Sequence, residues 1–185
     1  MRRAEAFVSV AALMIRERKQ FFVGALEAHY RELIAAARLA ETRAAEAAAE
    51  IQNDARRKED AKGAVELGRM AAGHRSRRER AVNELETLIA FAARGLRAFA
   101  PDAPVQLGAL VDVRVETDAG SEERTVFVLP VGAGTELEGP GGDGFISVIT
   151  PASPVGSAIQ GARSGDRVDV VIAGNDREWT VVDVC

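Results

Sequence analysis

The chain has 185 residues, of which 47% are hydrophobic, 5% aromatic and 28% charged, and its formal net charge is −4. This length allows one domain or two small ones, and the hydrophobic content is ordinary for a globular protein. Every apolar run falls short of the roughly 18 residues of a transmembrane helix, so we expect no membrane span. Cys185 is the one cysteine, which excludes an intrachain disulfide and predicts a protein of the reducing cytoplasm.

Charge is divided unevenly along the chain. Residues 1–100 carry 19 Lys and Arg against 14 Asp and Glu, whereas residues 101–185 carry 5 against 14. This contrast indicates two bodies with different partners, the basic one suited to nucleic acid or to an acidic protein channel. Long helices rich in arginine and glutamate give the same asymmetry, so charge alone does not decide between the two explanations.

Two heptad patterns flank a charged stretch at residues 53–62. The first pattern comprises Leu26, Tyr30, Leu33, Ala37, Ala40, Ala44, Ala47 and Ile51. The second comprises Leu67, Ala71, Ala81, Leu85, Leu88, Ala92 and Leu96, with His74 and Arg78 at the two seam positions between Ala71 and Ala81. Two helices joined by a short turn near Arg57 pack antiparallel and oppose residues whose numbers sum to about 114. We therefore predict an antiparallel coiled coil over 17–100, with its tip near 53–62, preceded by a helical extension at 1–16.

The hydrophobic period changes to two after Pro101 and Pro104, which cannot continue a helix. Residues 101–105 are interpreted as a linker and 106–185 as a small α+β domain. Five strands are expected over residues 107–116, 124–130, 145–150, 168–173 and 178–184, with one short helix at 154–162 that Ser153 caps and Pro154 begins. The glycine-rich residues 132–144 contain acids and lack a Lys-Ser/Thr ending, so we interpret them as a plain flexible connection.

One run of small and polar residues in the C-terminal domain has a specific order. Ile146-Ser147-Val148 is followed, after a short insertion, by Ser153-Pro154-Val155-Gly156-Ser157-Ala158-Ile159-Gln160-Gly161-Ala162-Arg163-Ser164-Gly165-Asp166. This run resembles the C-terminal motif of the bacterial Gre transcript-cleavage factors. Residues 105–111 and 178–182 also resemble the first and last strands of that family's domain, so the resemblance extends over most of residues 17–185.

The resemblance implies an N-terminal antiparallel coiled coil and a C-terminal FKBP-like domain. In the Gre family the globular domain docks on RNA polymerase at the rim of the secondary channel, and the coiled coil enters the channel. Acidic residues at its tip help to hold Mg²⁺ in the polymerase active site, where backtracked RNA is hydrolysed. The resemblance thus implies a cytoplasmic, monomeric accessory factor rather than an enzyme. It would share Mg²⁺ with RNA polymerase, bind none on its own, lie near the nascent RNA 3′ end and have no membrane partner.

The tip acids follow from matching residues 59–67 to the family's tip. Asp60 and Glu66 keep acidic family positions and Glu59 adjoins Asp60, so the resemblance implies Asp60, Glu59 and Glu66 as catalytic tip residues, with Asp60 and Glu59 as Mg²⁺ ligands. The family's second catalytic acid falls on Gly63, and this departure favours a regulator that occupies the channel without stimulating cleavage. Glu59 and Asp60 are equally explained as solvated acids near a helix start.

Two further sets of residues are candidates for contacts. A basic band of Arg69, Arg75, Arg77 and Arg78 would face RNA or the channel wall, or would form an exposed face balanced by Glu79 and Glu84. The motif residues Ser153, Pro154, Gly156, Gly161, Gly165 and Asp166 would dock on the polymerase. The remaining hypothesis is a peptidyl-prolyl isomerase or chaperone, for which this domain offers only the aromatic residues Phe127, Phe145 and Trp179.

Overall fold

A computed structural model describes the backbone of residues 2–54, 58–117, 120–142, 144–172 and 174–185, and the side chains of these residues except 2–10, 53–54, 58–61 and 117. The elements are α1 (Arg2–Asp54), α2 (Lys58–Ala92), β1 (Leu110–Thr117), β2 (Gly120–Val128), β3 (Glu136–Glu138), β4 (Phe145–Ile149), α3 (Pro154–Ile159), β5 (Arg167–Ile172) and β6 (Asn175–Val184). The predicted fold class is confirmed, because two long helices precede a sheet domain with one short helix. Residues 2–16 are the first part of α1.

The chain forms two compact units. One consists of Met1–Leu26 together with Thr87–Cys185, and the other consists of Glu27–Glu86. None of the described helices has the length and hydropathy that crossing a membrane requires.

Within Glu27–Glu86 the two helical segments run antiparallel. A Cβ built on Gly63 would lie 3.8 Å from Ile51 Cδ1, and Glu84 lies beside Tyr30. Both pairs match the register predicted from the position of the turn. Burial raises the pKa of the Tyr30 phenol, and the neighbouring Glu84 carboxylate adds to this shift, although no hydrogen bond of standard geometry joins the two groups.

The seam of α1 differs from its prediction at two positions. Leu33 is 44% exposed, whereas Ala48, outside the predicted heptad, is only 8% exposed. A straight α-helix of 3.6 residues per turn drifts away from a strict heptad, so the buried stripe moves by one position along α1.

The unit Met1–Leu26 with Thr87–Cys185 contains a six-stranded mixed sheet in the order β3-β4-β2-β1-β6-β5. β1 and β2 form the predicted antiparallel hairpin, in which Val111 opposes Val126 and Thr117 opposes Gly120. β1 also pairs antiparallel with β6, and β2 pairs parallel with β4.

The prediction of five strands is wrong by one, because β3 lies inside the glycine-rich stretch. Glu136 opposes Ser147 and Glu138 opposes Phe145 across the β3–β4 pair. The strand has three residues, of which only Leu137 is buried. It is too short for an alternation of apolar and polar residues to be recognised in the sequence. The stretch is therefore a paired edge of the sheet rather than a plain connection.

The main core lies on the sheet face that includes Val111, Val113 and Val115. Ile159 of α3 and Trp179 of β6 belong to the same buried cluster. Ser153 caps α3 and Pro154 opens it, as predicted.

The opposite face of β2 packs against α1. The rings of Phe22 and Phe127 form an edge-to-face pair with centroids 6.5 Å apart, and both side chains are fully buried. The neighbouring Lys19 is also fully buried, and its ammonium group donates a 2.6 Å hydrogen bond to the Arg97 carbonyl and lies 4.5 Å from the Phe99 ring centroid. Burial lowers the pKa of Lys19 to about 8.

The predicted linker at 101–105 is fixed to the end of α3. The Val105 amide donates to the Ala162 carbonyl at 2.7 Å, and the Gly161 amide donates to the Val105 carbonyl at 2.8 Å. The Arg163 guanidinium also donates to the Asp102 carbonyl. This segment is thus hydrogen-bonded within its own unit.

Candidate functional site

The charged turn between the long helices contains the predicted tip acids. α1 ends at Asp54 and α2 begins at Lys58, so Glu59 and Asp60 occupy the first turn of α2. Their side chains lie outside the described residues, as do residues 55–57. Two adjacent carboxylates at a helix start are favoured by the helix dipole. They supply only part of the roughly six oxygen ligands that Mg²⁺ requires, so a Mg²⁺ ion there would need further ligands from a partner.

Glu66 lies further along α2 than the other two acids. It is exposed, and because seven residues of helix separate it from Glu59, their backbones are about 10 Å apart along the axis. Glu66 thus lies about two helical turns beyond Glu59, whose side chain, like that of Asp60, is outside the described residues.

Gly63, the position that the Gre resemblance matches to an acid, lies beside α1 and is partly exposed. A Cβ at this position would contact Ile51 at 3.8 Å, and the next residue, Ala64, is 2% exposed. A side chain at position 63 would thus begin next to Ile51 of α1.

The predicted basic band divides into two arginines that form ion pairs and two that do not. Arg75 Nε donates to Glu41 Oε1 at 2.8 Å, and Arg78 Nε donates to Glu41 Oε2 at 3.0 Å. These two arginines therefore bind α2 to α1. Arg69 and Arg77 form no ion pair with any described residue and line a groove instead.

This groove follows one stripe of α2 and continues between the helices. The stripe consists of Lys62, Val65, Glu66, Arg69, Met70, Gly73, His74 and Arg77. The continuation consists of Leu33, Ala36, Ala37, Ala40, His74, Arg77, Arg80, Ala81 and Glu84. Val65 and Met70 are 54% and 52% exposed, so the stripe combines cationic and apolar side chains.

Sequence reasoning missed Glu41, although the register contained the signal. Residues opposite Arg75 and Arg78 lie near positions 36–39, and Glu41 is the first acid within reach of both arginine side chains. The exposed apolar residues Val65 and Met70 were missed because the heptad rule concerns only the seam.

We expect Glu41→Gln to lower the melting temperature of the helical unit by about 2 °C at neutral pH, because exposed ion pairs contribute little. The side-chain hydrogen bonds from Arg75 and then Arg78 hold the pKa of Glu41 below its ordinary value. Stability from such a lowered pKa is present above the unfolded-state pKa and is lost as the pH falls through the folded-state pKa. Circular dichroism melts between pH 7 and pH 2 should show the difference shrinking with acid. Glu46→Gln, an exposed acid on α1, is the control, and an equal loss there would contradict the assignment.

The predicted docking residues have internal structural partners. The Ser153 hydroxyl donates to the Thr150 carbonyl at 2.7 Å and accepts from the Gly156 amide at 3.2 Å. Asp166 accepts from the Arg163 amide at 2.8 Å. Gly161 and Gly165 have φ values of +82° and +91°, a conformation that favours glycine. The motif therefore builds a cap and two turns, while Pro154, Gly161, Gly165 and Asp166 are exposed.

The three aromatic residues available to an isomerase pocket do not converge. Trp179 opposes Val115 on the core face, whereas Phe127 opposes Leu110 and packs on Phe22. Phe145 is 68% exposed on the edge strand pair β3–β4. The described residues thus contain no shared pocket for these rings, nor any group of three or more His, Cys, Asp or Glu placed to hold a metal ion.

No protein-family model matches the chain, and no curated protein sequence matches it. Solved structures that it resembles include the transcription factor Gfh1, at 23% identity and a TM-score of 0.36, over 84% of this chain and 92% of that one. Gfh1 of Thermus thermophilus has 20% identity and a TM-score of 0.35, over 87% and 95% of the two chains. The prokaryotic transcription elongation factor GreA/GreB from Nitrosomonas europaea has 22% identity and a TM-score of 0.30, over 46% and 63%. The likeness to these Gre-type structures is coarse.

Proposed function

We propose that this protein is a Gre-like transcription factor that binds RNA polymerase, inserts its helical hairpin into the secondary channel and stimulates cleavage of backtracked RNA. The proposal is carried by the Gre-like motif at residues 146–166 on a chain whose other unit is an antiparallel helical hairpin. The hairpin turn carries Glu59 and Asp60, the acids that the proposal requires there.

Each surface has a place in this proposal. Glu59 and Asp60 would hold, jointly with the polymerase, a Mg²⁺ ion whose chemistry would be the activation of water and the neutralisation of charge on the RNA phosphate. Arg69 and Arg77 lie on the groove and would face the RNA 3′ end or the channel wall. Arg75 and Arg78 would act indirectly, through the ion pairs with Glu41 that connect α2 to α1.

The second candidate is a factor that occupies the same channel without stimulating cleavage. Two observations favour it. Position 63, which the Gre resemblance matches to an acid, is a glycine beside α1, and Glu66 lies about 10 Å along the helix from Glu59. Only the adjacent pair Glu59 and Asp60 then remains at the turn. The isomerase hypothesis is disfavoured, because Phe127, Phe145 and Trp179 lie in different places.

The test is RNA cleavage in a stalled, backtracked complex of the cognate polymerase with Mg²⁺. We expect wild type to shorten the RNA, and Asp60→Ala and Glu59→Ala to slow cleavage by about tenfold or more, as loss of a metal ligand does. Glu79→Ala, an exposed acid on α2, is the matched control and should retain the wild-type rate.

The outcomes separate the candidates. Binding without cleavage, accompanied by inhibition of initiation, would replace the first candidate by the channel-occupying regulator. Failure of the wild-type protein to bind the cognate polymerase would overturn both.

A further inference from the structure

A notch of about 220 Å³ lies just beyond the end of α2, in the unit that contains the sheet. The side chains that line it include Phe91, Arg94, Leu96, Arg97, Phe99 and Leu107. Aromatic and aliphatic groups thus stand beside two guanidinium groups.

The floor of the notch is formed by a glycine. Gly108 has φ +90°, and a Cβ there would lie 3.2 Å from Phe91 Cζ and 4.0 Å from Phe99 Cζ. The Phe91 ring thus lies directly against Gly108, and the Phe99 ring lies within contact distance of the same position. The Gly108 amide donates to the Val128 carbonyl at 2.8 Å, which fixes this floor to the end of β2.

Lys19 contacts two of the residues that line the notch, Arg97 and Phe99. Its ammonium group donates to the carbonyl of Arg97 and lies 4.5 Å from the centroid of the Phe99 ring. The Arg97 backbone and the Phe99 ring are therefore positioned before any partner arrives, and such preorganisation reduces the entropy cost of binding.

The charge of the notch contrasts with that of its surroundings. Arg94 and Arg97 are exposed and form no ion pair with a described residue, and no carboxylate lines the notch. Residues 101–185, in contrast, carry 14 acidic and 5 basic residues. Two unpaired guanidinium groups are suited to a carboxylate, which arginine binds in bidentate geometry.

Size and charge select the occupant. Drug-sized ligands use pockets of roughly 300–1,000 Å³, so a notch of about 220 Å³ suits a single side chain better than a nucleotide. A nucleic acid would also bring its closely spaced phosphates against an acidic domain. A peptide segment with one apolar side chain next to Asp or Glu satisfies both the rings and the arginines.

We infer that this notch docks an acidic segment of a protein partner, with a carboxylate on Arg94 and Arg97 and a neighbouring apolar side chain against Phe91 and Leu107. The inference rests on the proposed function for the partner's identity, which is RNA polymerase. It adds a contact surface outside the motif at residues 146–166.

The test measures binding of the full chain to the cognate RNA polymerase core enzyme by biolayer interferometry at two salt concentrations. We expect Arg94→Glu/Arg97→Glu to weaken binding by about tenfold or more, because like charges would face each other in the interface. Leu107→Gln should weaken binding by about threefold through the apolar contact. Arg16→Glu/Arg177→Glu, an equal charge change at exposed positions of the same unit, should bind like wild type.

Three outcomes would overturn the inference. If wild type binds and the Arg94→Glu/Arg97→Glu variant binds within twofold of the control variant, the notch is not a docking site, while the proposed function stands. If that variant loses affinity only for a fluorescent 12-nucleotide RNA, the notch binds nucleic acid. Failure of wild type to bind polymerase removes the proposed function together with this partner.

Discussion

Gly156→Ala is expected to destabilise the sheet-containing unit by about 3 kcal/mol or more, because overpacking against rigid atoms is among the most costly single changes. An added Cβ would lie 1.9 Å from the Thr150 carbonyl oxygen and 2.8 Å from its carbon. Both are backbone atoms and cannot rotate away. The Ser153 hydroxyl, which donates to the same Thr150 oxygen at 2.7 Å, holds the turn in place.

Urea unfolding of the full chain, followed by Trp179 fluorescence, measures this effect. Gly24→Ala is the matched control, since Gly24 is helical, belongs to the same unit and has nothing within 4 Å of an added Cβ. Helix propensity predicts that this control gains about 0.5–1 kcal/mol. Equal stability of Gly156→Ala and wild type would contradict the close approach. Loss of polymerase binding in a Gly156 variant would report unfolding rather than a lost contact.

The second large effect concerns Lys19, whose burial lowers its pKa from 10.5 to about 8. Below pH 8 both the folded and the unfolded chain hold this proton, and the folded state carries the full cost of a buried charge. Between pH 8 and 10.5 the folded state has released the proton and the unfolded state has not, so stability rises with pH. The full shift corresponds to at most about 3 kcal/mol, and we expect about half of that after the surroundings relax.

The measurement is the difference in unfolding free energy between the protein with Lys19 and Lys19→Met from pH 7 to pH 10. Both proteins also carry Cys185→Ser, because burial raises the pKa of the Cys185 thiol and Lys19 partly lowers it, so that the titrations of the two groups are coupled. We expect the unfolding free energy of the protein with Lys19 to rise relative to that of Lys19→Met as the pH rises. The protein with Lys19 should be the more stable of the two at pH 10. There its neutral amine retains the hydrogen bond to Arg97. A difference that is constant with pH would show that the Lys19 proton does not respond to folding.

The sequence predicted the elements whose signal is long and periodic. The two long helices and their register follow from alternating steps of three and four residues. The α3 cap follows from Ser153 and Pro154, whose side chain and ring act locally. Strand β3 escaped prediction, since three residues between glycine turns show no period and become a strand only by pairing with β4.

The candidate site was less predictable, because its geometry depends on which way side chains face across two helices. Arg75, Arg77 and Arg78 are close neighbours in the sequence. Arg75 and Arg78 nevertheless form ion pairs with Glu41, whereas Arg77 lines the groove. Nothing local distinguishes Lys19 from the exposed cations Arg16 and Arg38. It is buried because Phe99 and Arg97, nearly 80 residues later, close over it.

The pairing of β1 with β6 has a consequence for how the chain is made. β1 is a central strand, and its residues Val111 and Val113 oppose Val184 and Val181, so one of its two edges stays unpaired until the residues of β6 have left the ribosome. The helical unit Glu27–Glu86 contains only residues synthesised much earlier. The residues of the helical unit therefore leave the exit tunnel before those of the sheet, so the helical unit can form before the sheet is complete. During that interval β2 is the native neighbour already available to β1.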